Sequence, residues 1–184
     1  ADEAFAGYRR HRFQHGEDRV RALLPQALRG PLLGTLGSIY PKADWAPRPL
    51  RAKTTLLALA GTSEQGYARA IGVLPPELRD TLYTAEFKAL RGDYRAEQPF
   101  KALMRGAPAR SGLDRAQYAD IKFWLPGDIL TKVDRTSMAV SLEAREPLLD
   151  HRLVEFAAAL PEGLRLRRGE GKWLLKKTMR RYLP

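Results

Sequence analysis

A lysine flanked by glycines, in Arg168-Gly169-Glu170-Gly171-Lys172, opens the apolar run Trp173-Leu174-Leu175. Glycine lets a backbone approach a ligand closely, and N–H groups at a helix start favour an anion. A lysine there adds a point charge suited to a phosphate or a developing oxyanion. The G-x-x-x-x-G-K-[ST] spacing of a Walker A loop is absent, which excludes that kind of phosphate cradle. Taken locally, the segment also reads as a glycine turn followed by an ordinary surface lysine, the commoner arrangement.

Two further stretches carry ionisable groups in patterns that can do chemistry. Asp2 and Glu3 are adjacent carboxylates ahead of a helical segment. Magnesium on substrate phosphates usually takes one or two carboxylates, so the pair suits that ion; helix-start acids stabilised by the macrodipole would look the same. In Leu125–His151, Lys132, Arg135 and Glu143 alternate with Ile129, Val133 and Val140. That pattern predicts a helix with one packed and one ionic face from Asp128 to Arg145. Asp128 and Lys132 form an i,i+4 pair in the favourable order. Ordinary salt bridges account for such a face equally simply. Asp150 is expected to cap the helix that follows, with His151 structural. Among three histidines, no Ser/His/Asp arrangement or metal-ligand spacing stands out.

The elements that must position these residues read as helices. Asp2 to about Leu28 has helical spacing at Val20, Leu23, Leu24, Ala27 and Leu28, with Pro25 as a kink or break. Gly30 to Pro49, rich in glycine and proline, predicts loop or short helical turns. Arg51–Ala60 reads as helix, Ser63 as a helix start, and Pro76 as a first helical residue. A single stripe of Leu78, Leu82, Ala85 and Ala89 is expected to end near Gly92. Asp114 is the expected cap of a nearly continuous helical region beyond it. Leu153, Phe156, Ala157 and Leu160 mark one helix ending at Pro161; Leu175, Met179, Tyr182 and Leu183 mark the last.

The chain has 184 residues, a length that predicts roughly one domain, and it contains no cysteine. A disulfide scaffold, a thiolate metal site and a cysteine nucleophile within this chain are thereby excluded. No apolar run approaches the roughly 18 residues of a membrane span. The start, ADEAFAGYRRHRF, has no initiator methionine and no secretory pattern. Together with the Tyr-Leu-Pro end, it predicts a chain cut from something longer. The net charge of +11 raises the expectation of anionic partners, although the basic residues are spread along the chain.

Three pieces in order, Asp2-Glu3-Ala4-Phe5-Ala6-Gly7-Tyr8, then LPGDILTKVDRTSMAVSLEAREPLLDHRLVEFAAALP, then GEGKWLLKK, resemble the C-terminal synthetase domain of glutamine-dependent asparagine synthetases. The likeness runs end to end, strongest from Tyr118 to Pro184 and weak between Gly30 and Gly112. Glu146 in REPLLDH, where the family more often has valine, resembles the branch found with exopolysaccharide and exosortase gene clusters.

The resemblance implies a mainly α chain, the helical C-terminal part of a Rossmann-like α/β ATP-pyrophosphatase domain (adenine nucleotide α-hydrolase-like). It implies ATP and Mg2+, with aspartate adenylated on its side-chain carboxylate and attacked by ammonia from a glutaminase domain absent from this chain. The family's Ser-Gly-Gly-x-Asp-Ser pyrophosphate loop is also absent. By position, Lys172 would be the catalytic lysine, Asp2 a Mg2+ ligand, and Glu143 and Arg145 substrate-binding residues, with an Arg–carboxylate structural pair the equal alternative for the last two. The setting implied is cytoplasmic, with no nucleic-acid or membrane partner and a homodimer as the assembly. Departures at Ala1, Gly127 and Glu146 leave the acceptor open, so a relative that amidates another carboxylate or closes a β-lactam is the alternative. A basic helical module that binds polyanions is the alternative from another class, and predicts binding that falls steeply with salt.

Overall fold

The computed structural model describes residues 1–41, 45, 47 and 52–183. Helices dominate: α1 (Arg9–Leu23), α2 (Gln26–Ile39), α3 (Lys53–Ala60), α4 (Ser63–Ile71), α5 (Pro76–Leu82), α6 (Ala85–Arg91) and α7 (Glu97–Gly106) come first. Then follow α8 (Gly112–Ala119), a π-helical stretch Asp120–Leu130, α9 (Thr131–Met138), a 3-10 turn Pro147–Leu149, α10 (His151–Ala159) and α11 (Glu162–Arg165). A hairpin, β1 (Leu166–Arg167) and β2 (Glu170–Gly171), leads into α12 (Trp173–Met179). The expectation of a mainly α chain is met. Two compact units emerge, one made of Ala1–His15 with Gly106–Pro184, the other of Gly16–Arg105. No described helix is long and apolar enough to cross a membrane.

In the first unit the helix expected from Asp2 begins only at Arg9. Ahead of it the chain curls into a turn, with Phe5 N–H donating to Ala1 O (3.0 Å) and Gly7 N–H to Asp2 O (2.8 Å). Ala6 sits at φ +55°, in the left-handed region that no helix continues through. Burial accounts for the turn. Ala4 and Phe5 pack on Ala157 with Leu153, Leu160 and Leu175, while Ala6 packs with Leu113 and Leu166. The N-terminal turn is thus the centre of the core that α8, α10, β1 and α12 build.

Caps and breaks follow local chemistry. Asp114 is not the cap of α8. Ser111 is, accepting from Asp114 N–H, while the Asp114 carboxylate accepts from Ser111 N–H in a capping box. Asp150 caps α10 as expected, accepting from Arg152 N–H at 3.0 Å. Pro126 lies inside the π-helical stretch, where its missing N–H already breaks the α ladder, and Thr131 Oγ1 donates to its carbonyl at 2.7 Å. The packed-and-ionic helix expected up to Arg145 ends at Met138. Ser141 at φ +59° terminates it, and Val140 and Leu142 face solvent. The final helix also stops early, at Met179.

The second unit corrects the glycine-rich loop. Residues 26–39 are helix, started by Pro25 and tolerating Pro31 inside; Pro49 and Arg51 fall outside the described residues. A Cβ on Gly34 would stand 3.7 Å from Ala60 Cβ, and one on Gly37 3.0 Å from the Leu57 side chain. The glycines are therefore a helix face pressed against α3 rather than turn residues. Pro76 opens α5 and Thr62 caps α4 one residue ahead of Ser63. The stripe from Leu78 to Ala89 is two helices, because Thr84 starts a new one by accepting from Phe87 N–H at 3.2 Å.

Candidate active site

Lys172 is carried on the hairpin. Leu166 faces Gly171 and Arg167 faces Glu170, which leaves Arg168 and Gly169 as a two-residue turn. Their φ values of +51° and +79° are those of a type I′ turn, whose twist matches that of paired strands. Arg12 Nη1 donates to Gly169 O at 3.2 Å and ties the turn to the start of α1. Lys172 itself is left-handed, at φ +57° and ψ +28°, and its N–H donates to Phe5 O at 2.8 Å. The Lys172 N–H is thus engaged within the protein, while its side chain stays open to a ligand.

That side chain meets Asp2: Lys172 Nζ stands 2.8 Å from Asp2 Oδ1. The side chains are 31% and 38% exposed, so an anion and a cation can both reach them. Close packing surrounds the pair. A Cβ on Gly7 would fall 1.9 Å from Asp2 Oδ1 and 2.3 Å from Lys172 Cε. A Cβ on Gly171 would fall 2.1 Å from the backbone oxygen of Ala6. Ala6, Arg168 and Lys172, three of the four described non-glycine residues with positive φ, all lie at this junction. Such conformers each cost of order 1–3 kcal/mol and persist where surrounding contacts over-determine them.

Glu3, expected beside Asp2 as a second carboxylate for a cation, turns inward. It accepts from Tyr8 Oη at 2.5 Å, and burial, then this bond, then the charge of Glu3 raise the Tyr8 phenol above its usual range. Tyr8 also lies under the Arg10 guanidinium at 3.7 Å. Arg10 and His11 both meet the buried carboxylate of Asp120, at 3.0 and 2.9 Å. Among the described residues no cluster of three or more metal-ligating side chains occurs. Asp2 alone points outward, which still suits Mg2+, because that ion takes few protein carboxylates and completes its shell with phosphate and water.

Glu143 and Arg145 lie on the irregular segment beyond α9 and pair with each other at 3.0 Å. At 69% and 81% exposure the pair contributes at most about 1 kcal/mol. His151 is an exposed first residue of α10. Asp128 and Lys132 pair at 2.9 Å as expected.

Gln117 and Arg165 escaped the sequence reading. Gln117 Nε2 donates to Glu3 O (2.6 Å) and Ala4 O (2.9 Å), and Arg165 joins Gln117 to Asp114. Breaking a buried bond of this kind leaves groups unsatisfied at about 1–3 kcal/mol each. The half-exposed Asp2–Lys172 pair is worth less than about 1 kcal/mol. The buried amide, not the ion pair, therefore holds the turn. Gln117 gave no signal in sequence because only the tertiary contact gives it carbonyls to bind.

A mainly helical chain with a lysine delivered by a hairpin to an N-terminal carboxylate fits the helical part of an ATP-pyrophosphatase-like synthetase domain. The chain belongs to the asparagine synthase family, whose model matches residues 1–184. It is 40% identical over 74 residues to asparagine synthetase [glutamine-hydrolyzing] 1 of Bacillus subtilis, covering 40% of this chain and 12% of that protein. Against the putative asparagine synthetase [glutamine-hydrolyzing] of Mycobacterium bovis it is 29% identical over 185 residues, covering 100% of this chain and 26% of that protein. Asparagine synthetase [glutamine-hydrolyzing] 3 of Bacillus subtilis is 35% identical over 78 residues, covering 40% and 12%. The chain thus spans about a quarter or less of the curated relatives it matches. No solved structure matches it.

Proposed function

We propose that this chain is the helical part of the synthetase domain of a glutamine-dependent asparagine synthetase. The observation that carries this reading is the Asp2–Lys172 contact of 2.8 Å, which unites two motifs from opposite ends of the chain. In the proposed reaction the aspartate side-chain carboxylate attacks the α-phosphorus of ATP, forming β-aspartyl-AMP and releasing pyrophosphate. Ammonia, supplied by glutamine hydrolysis in another part of the protein, then attacks the acyl carbon, and AMP leaves with the bonding pair to give asparagine.

Each member of the pair has a distinct part. With no substrate bound, the carboxylate and ammonium neutralise each other. With the triphosphate bound, Lys172 turns its charge to the phosphate oxygens, where charge grows as pyrophosphate departs. A preorganised donor of this kind is worth on the order of 10²–10³ in rate. Asp2 would hold the Mg2+ that accompanies the triphosphate and neutralises part of its charge. Glu143 and Arg145 border the acceptor pocket in this reading, their mutual pair released to the substrate's own charges.

ATP–pyrophosphate exchange in the complete protein tests it. Exchange is expected to depend on aspartate and to collapse in Lys172→Ala. If Lys172→Ala exchanges at the wild-type rate, the catalytic assignment is wrong. Exchange driven by a different carboxylate would keep the chemistry and change the acceptor. Binding of nucleic acid with a steep salt slope and no adenylation would favour the polyanion module instead.

A further inference from the structure

The Asp2 turn and the Lys172 hairpin meet through one buried amide. Gln117, on α8, donates from Nε2 to the carbonyls of Glu3 and Ala4, the two residues that follow Asp2. The next carbonyl, that of Phe5, accepts from the Lys172 N–H at 2.8 Å. On its other side the Gln117 carboxamide oxygen accepts from Arg165, whose guanidinium also meets the Asp114 carboxylate. Arg165 immediately precedes β1, and β2 ends one residue before Lys172. Both flanks of the ion pair are thus referred to the same turn of α8.

The chemistry of the amide is what this position demands. Arginine only donates, so the Gln117 oxygen must face Arg165 and its NH2 must face the two carbonyls. A glutamate there would keep Arg165 and set a carboxylate oxygen against two carbonyl oxygens. A methionine would fill the volume and donate nothing. Gln117 and Arg165 are each only 3% exposed, so water cannot substitute for either partner.

We propose that Gln117 and Arg165 are positioning residues, which hold the Asp2 turn in register with Lys172 for the triphosphate without touching it. This rests on the reading above, in which Asp2 and Lys172 act on ATP. The pair alone cannot set that register, because its side chains are about one-third exposed and free to separate.

A double-mutant cycle on ATP–pyrophosphate exchange in the complete protein is the test, with Gln117→Met, Asp2→Asn and their combination, each checked by thermal melting. Gln117→Met is expected to slow exchange on the order of 10- to 100-fold, as a misplaced group does, and to raise the Mg2+ needed for half-maximal rate. In the Asp2→Asn background the same change is expected to slow exchange by less than about two-fold, because its effect passes through Asp2. Should Gln117→Met not fold, Arg165→Lys carries the same cycle, since a compact ammonium replaces the guanidinium fork whose two ends meet Gln117 and Asp114. Equal fold losses in both backgrounds, or an unchanged Mg2+ dependence, would overturn the positioning role and leave the active-site reading standing. Full exchange in both Asp2→Asn and Lys172→Ala would instead sink the reading on which it rests.

Discussion

Lys172 combines a left-handed backbone, which glycine adopts freely, with a charge that glycine lacks. Lys172→Gly is therefore expected to leave the fold as stable or up to about 1 kcal/mol more stable. The same variant should lose ATP–pyrophosphate exchange on the order of 10²–10³. Melting and exchange measured on one preparation check both halves. The two neighbouring glycines divide differently. A methyl group on Gly7 meets the ends of the Asp2 and Lys172 side chains, which can swing aside. Gly7→Ala should lower exchange while barely moving the melting temperature. A methyl group on Gly171 meets the backbone of Ala6, which cannot move without opening the core. Gly171→Ala is expected to cost about 1–3 kcal/mol of stability, read by denaturant unfolding.

At the scale of elements, the hairpin delivers the lysine and its turn decides the aim. Arg168 and Gly169 both take positive φ, and the type I′ turn prefers asparagine then glycine. Arg168→Asn should stabilise the hairpin by a few tenths of a kcal/mol, the part of the left-handed cost that asparagine avoids. Gly169→Val should destabilise it by about 1 kcal/mol or more and slow exchange. Helix α2 teaches the opposite lesson about glycine. The same residue type that makes the turn at Gly169 makes a flat helix face at Gly34 and Gly37. Composition alone does not separate these uses, because one depends on φ and the other on a neighbour's approach.

For the molecule as a whole, the Tyr8–Glu3 bond links alkaline pH to stability. Burial chiefly, with the Glu3 bond and charge, raises the Tyr8 phenol in the folded state. Stability from a raised group is complete below its unfolded pKa, about 10 for tyrosine, and is lost as pH rises through the folded value. The melting-temperature gap between wild type and Tyr8→Phe should accordingly shrink above about pH 10. The second unit also turns an apolar stripe to water: Leu28, Leu32, Leu36 and Ile39 on α2 are 49–76% exposed. A continuous apolar surface of this kind promotes association. Light scattering on the 184-residue chain should report less self-association in Leu32→Lys with Leu36→Glu than in wild type.

The sequence by itself determined the family, the helical class, the proline and aspartate starts of α5 and α10, and Lys172 as the residue to watch. These follow from short-range patterns: spacing, capping chemistry and a long contiguous motif. Only the tertiary structure decided that Asp2 meets Lys172 and that Glu3 turns inward to Tyr8. It alone put the Glu143–Arg145 pair on an irregular segment rather than a helix, and showed Gln117 holding three elements together. The reason is physical. A buried amide or an inward carboxylate is defined by partners far away in sequence, and no local pattern records which carbonyl will arrive beside it.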